Sequence, residues 1–409
     1  MAHASGHVAN RWAWKSRAFP VLPHDPYMKP FIHLPTHYRH FHRIAWLATL
    51  MTLFTLGFGA FVRLSDAGLS CPDWPTCYGR AAWPTAPADV VDHEASKIRP
   101  LEVHKAWREQ VHRFLAGVLG VETLVLALLA VRRRRLGVAQ VVFASVLVAV
   151  AIPLYMRGQH VAASIVALAG EGILLAAAWR WSGPDLARIG VLTLAAVILQ
   201  ALLGMWTVTW LLKPIVVMAH LLGGLLTFSL LAWMAWRASN LPIHLADVRR
   251  MRWWLGIGTA LLVMQIALGG WVSSNYAALA CATDFPTCVG RWWPPHDFAE
   301  GFRLWRGIGV DYEGGVLDGD ARIAIQMAHR VMACVVSVYL VGLAIRLLRT
   351  PGLRGWAALL LVLLAVQVAL GILNVKLALP LPVAVLHSVC ASLLMFVLVS
   401  LLARLRAPE

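Results

Sequence analysis

Gln110-Val111-His112-Arg113 and its echo Gln326-Met327-Ala328-His329-Arg330 each set a His-Arg pair just inside one end of a long apolar segment, with Glu109 one helical turn before the first histidine. Ionisable pairs are costly within a membrane span, so they mark function or register. These two mark an internal repeat. His112 and His329 are 217 residues apart, whereas His220 and His387 are 167 apart, and Gln200-Ala-Leu-Leu-Gly204 returns as Gln367-Val-Ala-Leu-Gly371 at the same 167. Upstream, Gly59 and Gly269 each stand twelve residues before a cysteine, Cys71 and Cys281, and Pro-Thr-Cys recurs at 75–77 and 286–288. The fall from 217 to 167 leaves the first half with fifty additional residues, the length of two apolar segments at 138–156 and 161–179 with their connections. Each half is therefore expected to be a four-helix unit, with a helical hairpin over 138-179 inserted in the first. Because each unit has an even number of spans, the repeats are parallel.

Composition agrees with that reading. Of 409 residues, 59% are hydrophobic and only 14% charged, which excludes an ordinary soluble domain. The formal charge of +16 does not point to nucleic acid, because the basic residues lie in short clusters between apolar runs of about twenty residues. The expected class is an all-α polytopic membrane protein of about ten transmembrane helices, at 44–62, 109–131, 138–156, 161–179, 187–210, 215–236, 253–274, 322–346, 356–377 and 382–404. Arg132 to Arg135, then Arg249, Arg250 and Arg252, then Arg346, Arg349 and Arg354 mark the cytoplasmic side, which puts both termini there and residues 157–160 outside. The chain divides into a polar leader 1-42, a first bundle 43-236 with its hairpin, a linker 237-252 and a second bundle 253-404. The leader carries no cleavable signal peptide, and Met28 and Met51 are alternative starts.

Four intramembrane histidines, His112, His220, His329 and His387, sit at places matched by the repeat. Singly, each could be a hydrogen-bonded packing residue. In each half, however, the two lie on antiparallel helices a few residues inside the outer boundary, a descent of roughly 5 to 10 Å at 1.5 Å per residue. Two imidazoles facing each other at one depth suit bis-histidine haem ligation, giving two haem sites near the outer surface. Zinc or copper also takes imidazole, but further ligands usual for zinc are missing at that depth. Cys334 and Cys390 follow their histidines by five and three residues, where thiol ligation competes with plain apolar packing. Arg113 and Arg330 suit haem propionates, with snorkelling or a carboxylate partner as the other reading.

The remaining cysteines form two loop pairs, Cys71-Cys77 and Cys281-Cys288, in segments expected outside, where local disulfides persist. Their spacing does not match common zinc clips, and whether they staple the loops or exchange electrons stays open. Glu122 and Glu171 lie at equal depth, as a proton-sharing pair or as two independent neutral carboxyls.

Taken together, Gly59-Ala-Phe-Val-Arg-Leu-Ser-Asp-Ala-Gly-Leu-Ser-Cys-Pro-Asp-Trp-Pro-Thr-Cys-Tyr-Gly79, Glu109-Gln-Val-His-Arg113, Gly204-Met-Trp-Thr-Val208, His220-Leu-Leu-Gly-Gly224, Gln326-Met-Ala-His-Arg330 and Leu386-His387 resemble the haem A synthase family. The family's usual eight helices in two halves make the hairpin a departure. The resemblance implies that His329 and His387 hold a haem b cofactor, that His112 and His220 form the site for the substrate haem O, and that Glu109 assists oxidation of one haem methyl to a formyl group. A structural Glu109 paired with Arg113 is the competing reading. The resemblance also implies a bacterial inner (plasma) membrane location, haem O synthase and cytochrome oxidase assembly factors as partners, and is compatible with a homo-oligomer. A dihaem b-type electron-transfer protein, without chemistry on the porphyrin, is the alternative function, and a proton-relaying transporter built on the parallel repeat is a further one. Glu109 is read as having no acidic counterpart, since Ile325 precedes Gln326.

Overall fold

The computed structural model describes residues 40–181 and 186–408. The leader 1-42 therefore lies almost wholly outside the described residues. Among the described residues ten helices are long and apolar enough to cross a membrane. In chain order the helices are α1 (Phe41–Leu64), the short α2 (His93–Ile98), α3 (Val103–Val131), α4 (Gly137–Met156), α5 (His160–Arg180), α6 (Leu186–Thr209), α7 (Pro214–Ser239), α8 (Val248–Ser274), the single turn α9 (Phe298–Gly301), α10 (Gly319–Leu348), α11 (Arg354–Lys376) and α12 (Leu381–Arg404). Two two-residue strands, β1 (Ile243–His244) and β2 (Leu405–Arg406), pair in parallel and join the linker to the C-terminal tail.

Local chemistry sets the ends of these helices. Pro214 opens α7 and Pro382 lies in the first turn of α12, where a missing N–H costs nothing. Asp247 and Asp318 cap α8 and α10 by accepting from the Arg250 and Ala321 amides. Two helices begin earlier than their apolar runs: α3 at Val103 rather than near 109, and α8 at Val248 rather than 253. Their first turns are polar, carrying His104, Lys105 and Arg108, or Arg249, Arg250 and Arg252, so they project past the hydrocarbon as helix.

In the first half, neighbouring helices pack in the closed ring α1, α3, α6, α7, and in the second half in the ring α8, α10, α11, α12. Helices α3 and α7 thus stand at opposite corners of one bundle, and α10 and α12 at opposite corners of the other. The repeat extends to the backbone. Left-handed φ angles occur at Asp66 and Tyr276, at Tyr78 and Val289, and at the turns Leu211-Leu212 and Ala378-Leu379. A β-branched valine rarely adopts that conformation, so the loop around Val289 is held by its surroundings rather than by local preference.

The halves meet where α1 packs on α12, α7 on α8, and α7 on α12. Exchange of the halves maps this set of contacts onto itself, as a pseudo-two-fold relation requires. Buried Leu225, Phe228 and Ala232 of α7 join Leu255 of α8 and Leu394, Met395 and Leu398 of α12 in one cluster. Helices α4 and α5 form the additional hairpin. They lie outside the first ring, against α3 and α6, through Val141, Ala144, Leu174, Ala178, Val191 and Leu194. At Gly170 a Cβ would stand 2.8 Å from the Ala144 carbonyl, the close backbone approach that small residues permit between membrane helices.

Candidate functional site

Each of the four histidines is packed by a glycine on the neighbouring helix of its ring. A Cβ built at Gly59 would lie 2.8 Å from His112 Cε1; at Gly204, 3.1 Å from His220 Cε1; at Gly269 and Gly371, 3.2 Å from the Cε1 atoms of His329 and His387. The glycines that mark the repeat are therefore seats for imidazole rings. Phe58 stacks against His112 with ring centroids 6.5 Å apart. All four histidines are half-buried.

Glutamines back three of them. Gln200 Nε2 donates to the His220 carbonyl at 2.5 Å, Gln367 Nε2 lies 3.2 Å from His387 Nε2, and Gln265 Nε2 reaches His329 Nδ1 and its carbonyl, each at 3.2 Å. Nδ1 of His112, His220 and His387 is buried without a hydrogen-bond partner. His112 lies within electrostatic range of His220, and His329 within range of His387. His112 and His220 thus stand on helices at opposite corners of the first bundle and His329 and His387 on opposite corners of the second, three of the four with an unpartnered buried Nδ1 and all with a Cβ-free seat beside the ring. That donor set fits a haem between each pair. Among the described residues no three His, Cys, Asp or Glu side chains gather as a metal cluster, so the set does not resemble a zinc site. Cys334 is exposed and Cys390 is buried with its thiol on the Leu363 carbonyl.

Above the first pair, Glu109 is 5% exposed and its carboxylate accepts from Arg113 at 2.6 Å, from the Cys71 amide at 2.8 Å and from the Ser70 hydroxyl at 3.2 Å. The i,i+4 pairing with Arg113 is present, and so are bonds to the loop that no helical spacing reveals. Arg113 also donates to the carbonyls of Cys71, Asp73 and Thr76. Arg330 does the same work in the second half, donating to the carbonyls of Asp284 and Thr287. Loop carbonyls thus take much of the donor capacity of both half-buried guanidiniums, while Arg330 Nε stays buried without a partner. At the offset of 217 that relates the histidines, the counterpart of Glu109 is Gln326, not Ile325; the second half carries a neutral amide of the same shape, with Oε1 buried and unpartnered.

The loops are closed by Cys71–Cys77 and Cys281–Cys288, as the spacing suggests. Inside the first loop, Asp73 accepts from Thr76 Oγ1, the Tyr78 amide and the Gly79 amide; Asp284 accepts from the Gly290 amide. Burial, with the Glu109, Asp73 and Glu102 carboxylates nearby, pushes the Tyr78 phenol up to about 12. Its hydroxyl faces the Arg99 and Pro100 carbonyls. Each loop is thus closed by a disulfide and tied to its bundle by an arginine.

A family model described as cytochrome oxidase assembly protein matches residues 9–154 and 158–399. The chain belongs to that family. The break in the match falls at the tip of the α4–α5 hairpin. Among relatives, the Heme A synthase of Shewanella oneidensis is 36% identical over 371 residues, covering 88% of this chain and 96% of that protein. The Heme A synthase of Sphingopyxis alaskensis is 27% identical over 392 residues, 89% of this chain and 91% of the relative. That of Methylobacterium radiotolerans is 36% identical over 133 residues, 32% of this chain and 34% of the relative.

Several features of the fold have no signature in the sequence. The second outer loop crosses to the first half, where the Tyr312 amide donates to the Leu211 carbonyl and Tyr312 packs with Leu69, Val208 and Leu212. Arg99 meets Asp311 and Glu313, each at 2.6 Å. Trp74, in the first cysteine loop, packs edge-on against Tyr155 at the tip of the hairpin. Glu122 and Glu171, which the sequence does single out, each keep a buried Oε2 without a hydrogen-bond partner.

Proposed function

We infer that the chain is a haem A synthase, a membrane oxidoreductase that converts a methyl group of haem O into the formyl group of haem A for cytochrome oxidase. The observation that carries the reading is the inequality of two otherwise matched histidine pairs: only His112 and His220 have a carboxylate, Glu109, one turn above them, where His329 and His387 have Gln326. One reacting haem and one electron-carrying haem call for that difference.

On this reading His112 and His220 hold the substrate haem O through its iron, and His329 and His387 hold a haem b. A haem b there supplies one-electron transfer, which carries reducing equivalents away from the oxidised methyl. Gly59 and Gly204 let the imidazoles of the first site stand close to their helices, which fixes the ring orientation. Glu109, held by Arg113, Ser70 and the Cys71 amide, is a fixed proton acceptor at the loop end of the site. Arg113 fastens the disulfide loop over the carboxylate, and because the electrons leave through the second site the formyl oxygen is supplied by water, R–CH3 + H2O giving R–CHO with four protons and four electrons released. The arginine clusters favour an orientation with these loops on the outer face of a bacterial inner membrane and both termini in the cytoplasm. In that setting the substrate arrives from haem O synthase, and the product passes to cytochrome oxidase assembly factors.

The test is extraction of pigment from purified protein supplied with haem O, followed by chromatographic identification. Haem A, or an alcohol on the way to it, is expected. Haem O returned unchanged by fully haem-loaded protein would instead make the chain a dihaem b-type electron carrier.

A further inference from the structure

We propose that Lys213 is the counter-cation for a propionate of the substrate haem at the first site, an inference that rests on the haem reading above. Lys213 stands at the N-terminus of α7, is only 1% exposed, and keeps its Nζ buried with no hydrogen-bond partner. The contacts recorded for its ammonium are aromatic: Nζ lies 3.3 Å from the ring centroid of Trp305 and 5.3 Å from that of Trp210. Trp305, itself 61% exposed, belongs to the second outer loop and covers the lysine from outside.

An aromatic face offsets part of the cost of burying a cation, but an ammonium has three N–H donors and none is used here. A buried charge left in that state calls for an anion. The position names which one. Lys213, the N-cap of α7, precedes His220 by seven residues, which puts it about 10 Å further out along the same helix at 1.5 Å per residue. A porphyrin held by its iron between α3 and α7 carries its carboxylates along one edge. With that edge toward the outer loops, a propionate meets the outer end of α7. Arg113 does not compete for it, being spent on Glu109 and three loop carbonyls, while Arg108, on α3, lies over the Phe61 and Trp107 rings.

The second half shows that the lysine is not needed to make the turn. The same pair of left-handed residues, Ala378 and Leu379, leads there into Pro380 at the position of Lys213. A buried lysine at this position is thus a feature of the half that holds Glu109; the second half's lysine, Lys376, stands four residues earlier at the end of α11 and is exposed. Lys213 gives the substrate site a buried cation where the cofactor site has a proline, and so a means of distinguishing a haem that must enter from one that stays.

The test uses purified full-length protein in lipid nanodiscs and two probes, protohaem IX and its dimethyl ester, in which both carboxylates are masked. First-site uptake is the portion lost in His112→Ala. Lys213→Met should weaken first-site binding of the free acid about tenfold, the scale of one charge-assisted hydrogen bond, and leave the ester unchanged; Lys213→Arg should keep the preference for the acid. Undiminished binding of the acid by Lys213→Met overturns the proposal, as does an equal loss of acid and ester, which would make the lysine a packing residue. Wild-type protein that takes up neither probe in a His112-dependent manner overturns the haem reading of the first site instead.

Discussion

Gly59 lies so close to His112 that a methyl group added to the glycine would stand 2.8 Å from the imidazole Cε1. The corresponding approach of Gly269 to His329 is 3.2 Å. Overpacking in a tight contact costs about 1–3 kcal/mol. Gly59→Ala should therefore reduce first-site haem uptake about tenfold or more, whereas Gly269→Ala should perturb the second site less. Haem titration of the two variants measures both; a larger loss from Gly269→Ala would contradict the ranking of these contacts.

His329→Ala and His387→Ala should each remove the low-spin haem b spectrum, because each deletes one side of the second pair. His112→Ala and His220→Ala should spare that spectrum and abolish haem O conversion. Visible and electron paramagnetic resonance spectra, read beside extracted pigments, separate the two outcomes. A spectrum lost equally in all four variants would mean that the two pairs are not independent sites.

Glu109→Gln recreates in the first half the amide that Gln326 supplies in the second. The shape is kept and the charge removed, so both haems should still bind while haem A production falls by at least about tenfold, the lower end of what acid–base groups contribute. Wild-type turnover by this variant would leave the carboxylate with a structural role only.

Arg330→Gln should loosen the second cysteine loop, since the guanidinium donates to the Asp284 and Thr287 carbonyls and each such hydrogen bond to a charged group contributes about 1.5–3 kcal/mol. Hydrogen exchange across residues 281–291 should quicken, with Cys281–Cys288 still formed. Exchange unchanged from wild type would show that the disulfide alone holds the loop.

A cysteine placed at Gly158 in a cysteine-depleted background should react with an impermeant thiol reagent added from outside the cell, as expected for the tip of the α4–α5 hairpin. Protection there, together with labelling after the cytoplasmic face is exposed, would reverse the orientation of the bundle.

Much of this was legible in the sequence because a membrane simplifies the problem: ten apolar runs become ten helices, and a repeat with shifting offsets locates the hairpin. The placing of the four histidines on opposite corners of their bundles was legible because each stands at a repeat-matched place on a helix of known direction. What hydropathy misses is polar backbone still in helix, which is why α3 starts at Val103 beneath His104, Lys105 and Arg108. The partners of Arg113 and Arg330 were not readable, because backbone carbonyls of a folded loop have no signature in side-chain spacing. Nor was the seat of Lys213 visible, since Trp305 reaches it from more than ninety residues downstream.

Tyr312 and its neighbours have a consequence for how such a protein can be taken apart. The second loop bonds Leu211 through Tyr312 and holds Arg99 between Asp311 and Glu313, so the roof of the N-terminal bundle is encoded by the C-terminal half. A chimaera that imports a foreign N-terminal bundle must bring residues 302–317 with it, and two separately expressed halves can complete the first site only by trading that segment across their boundary.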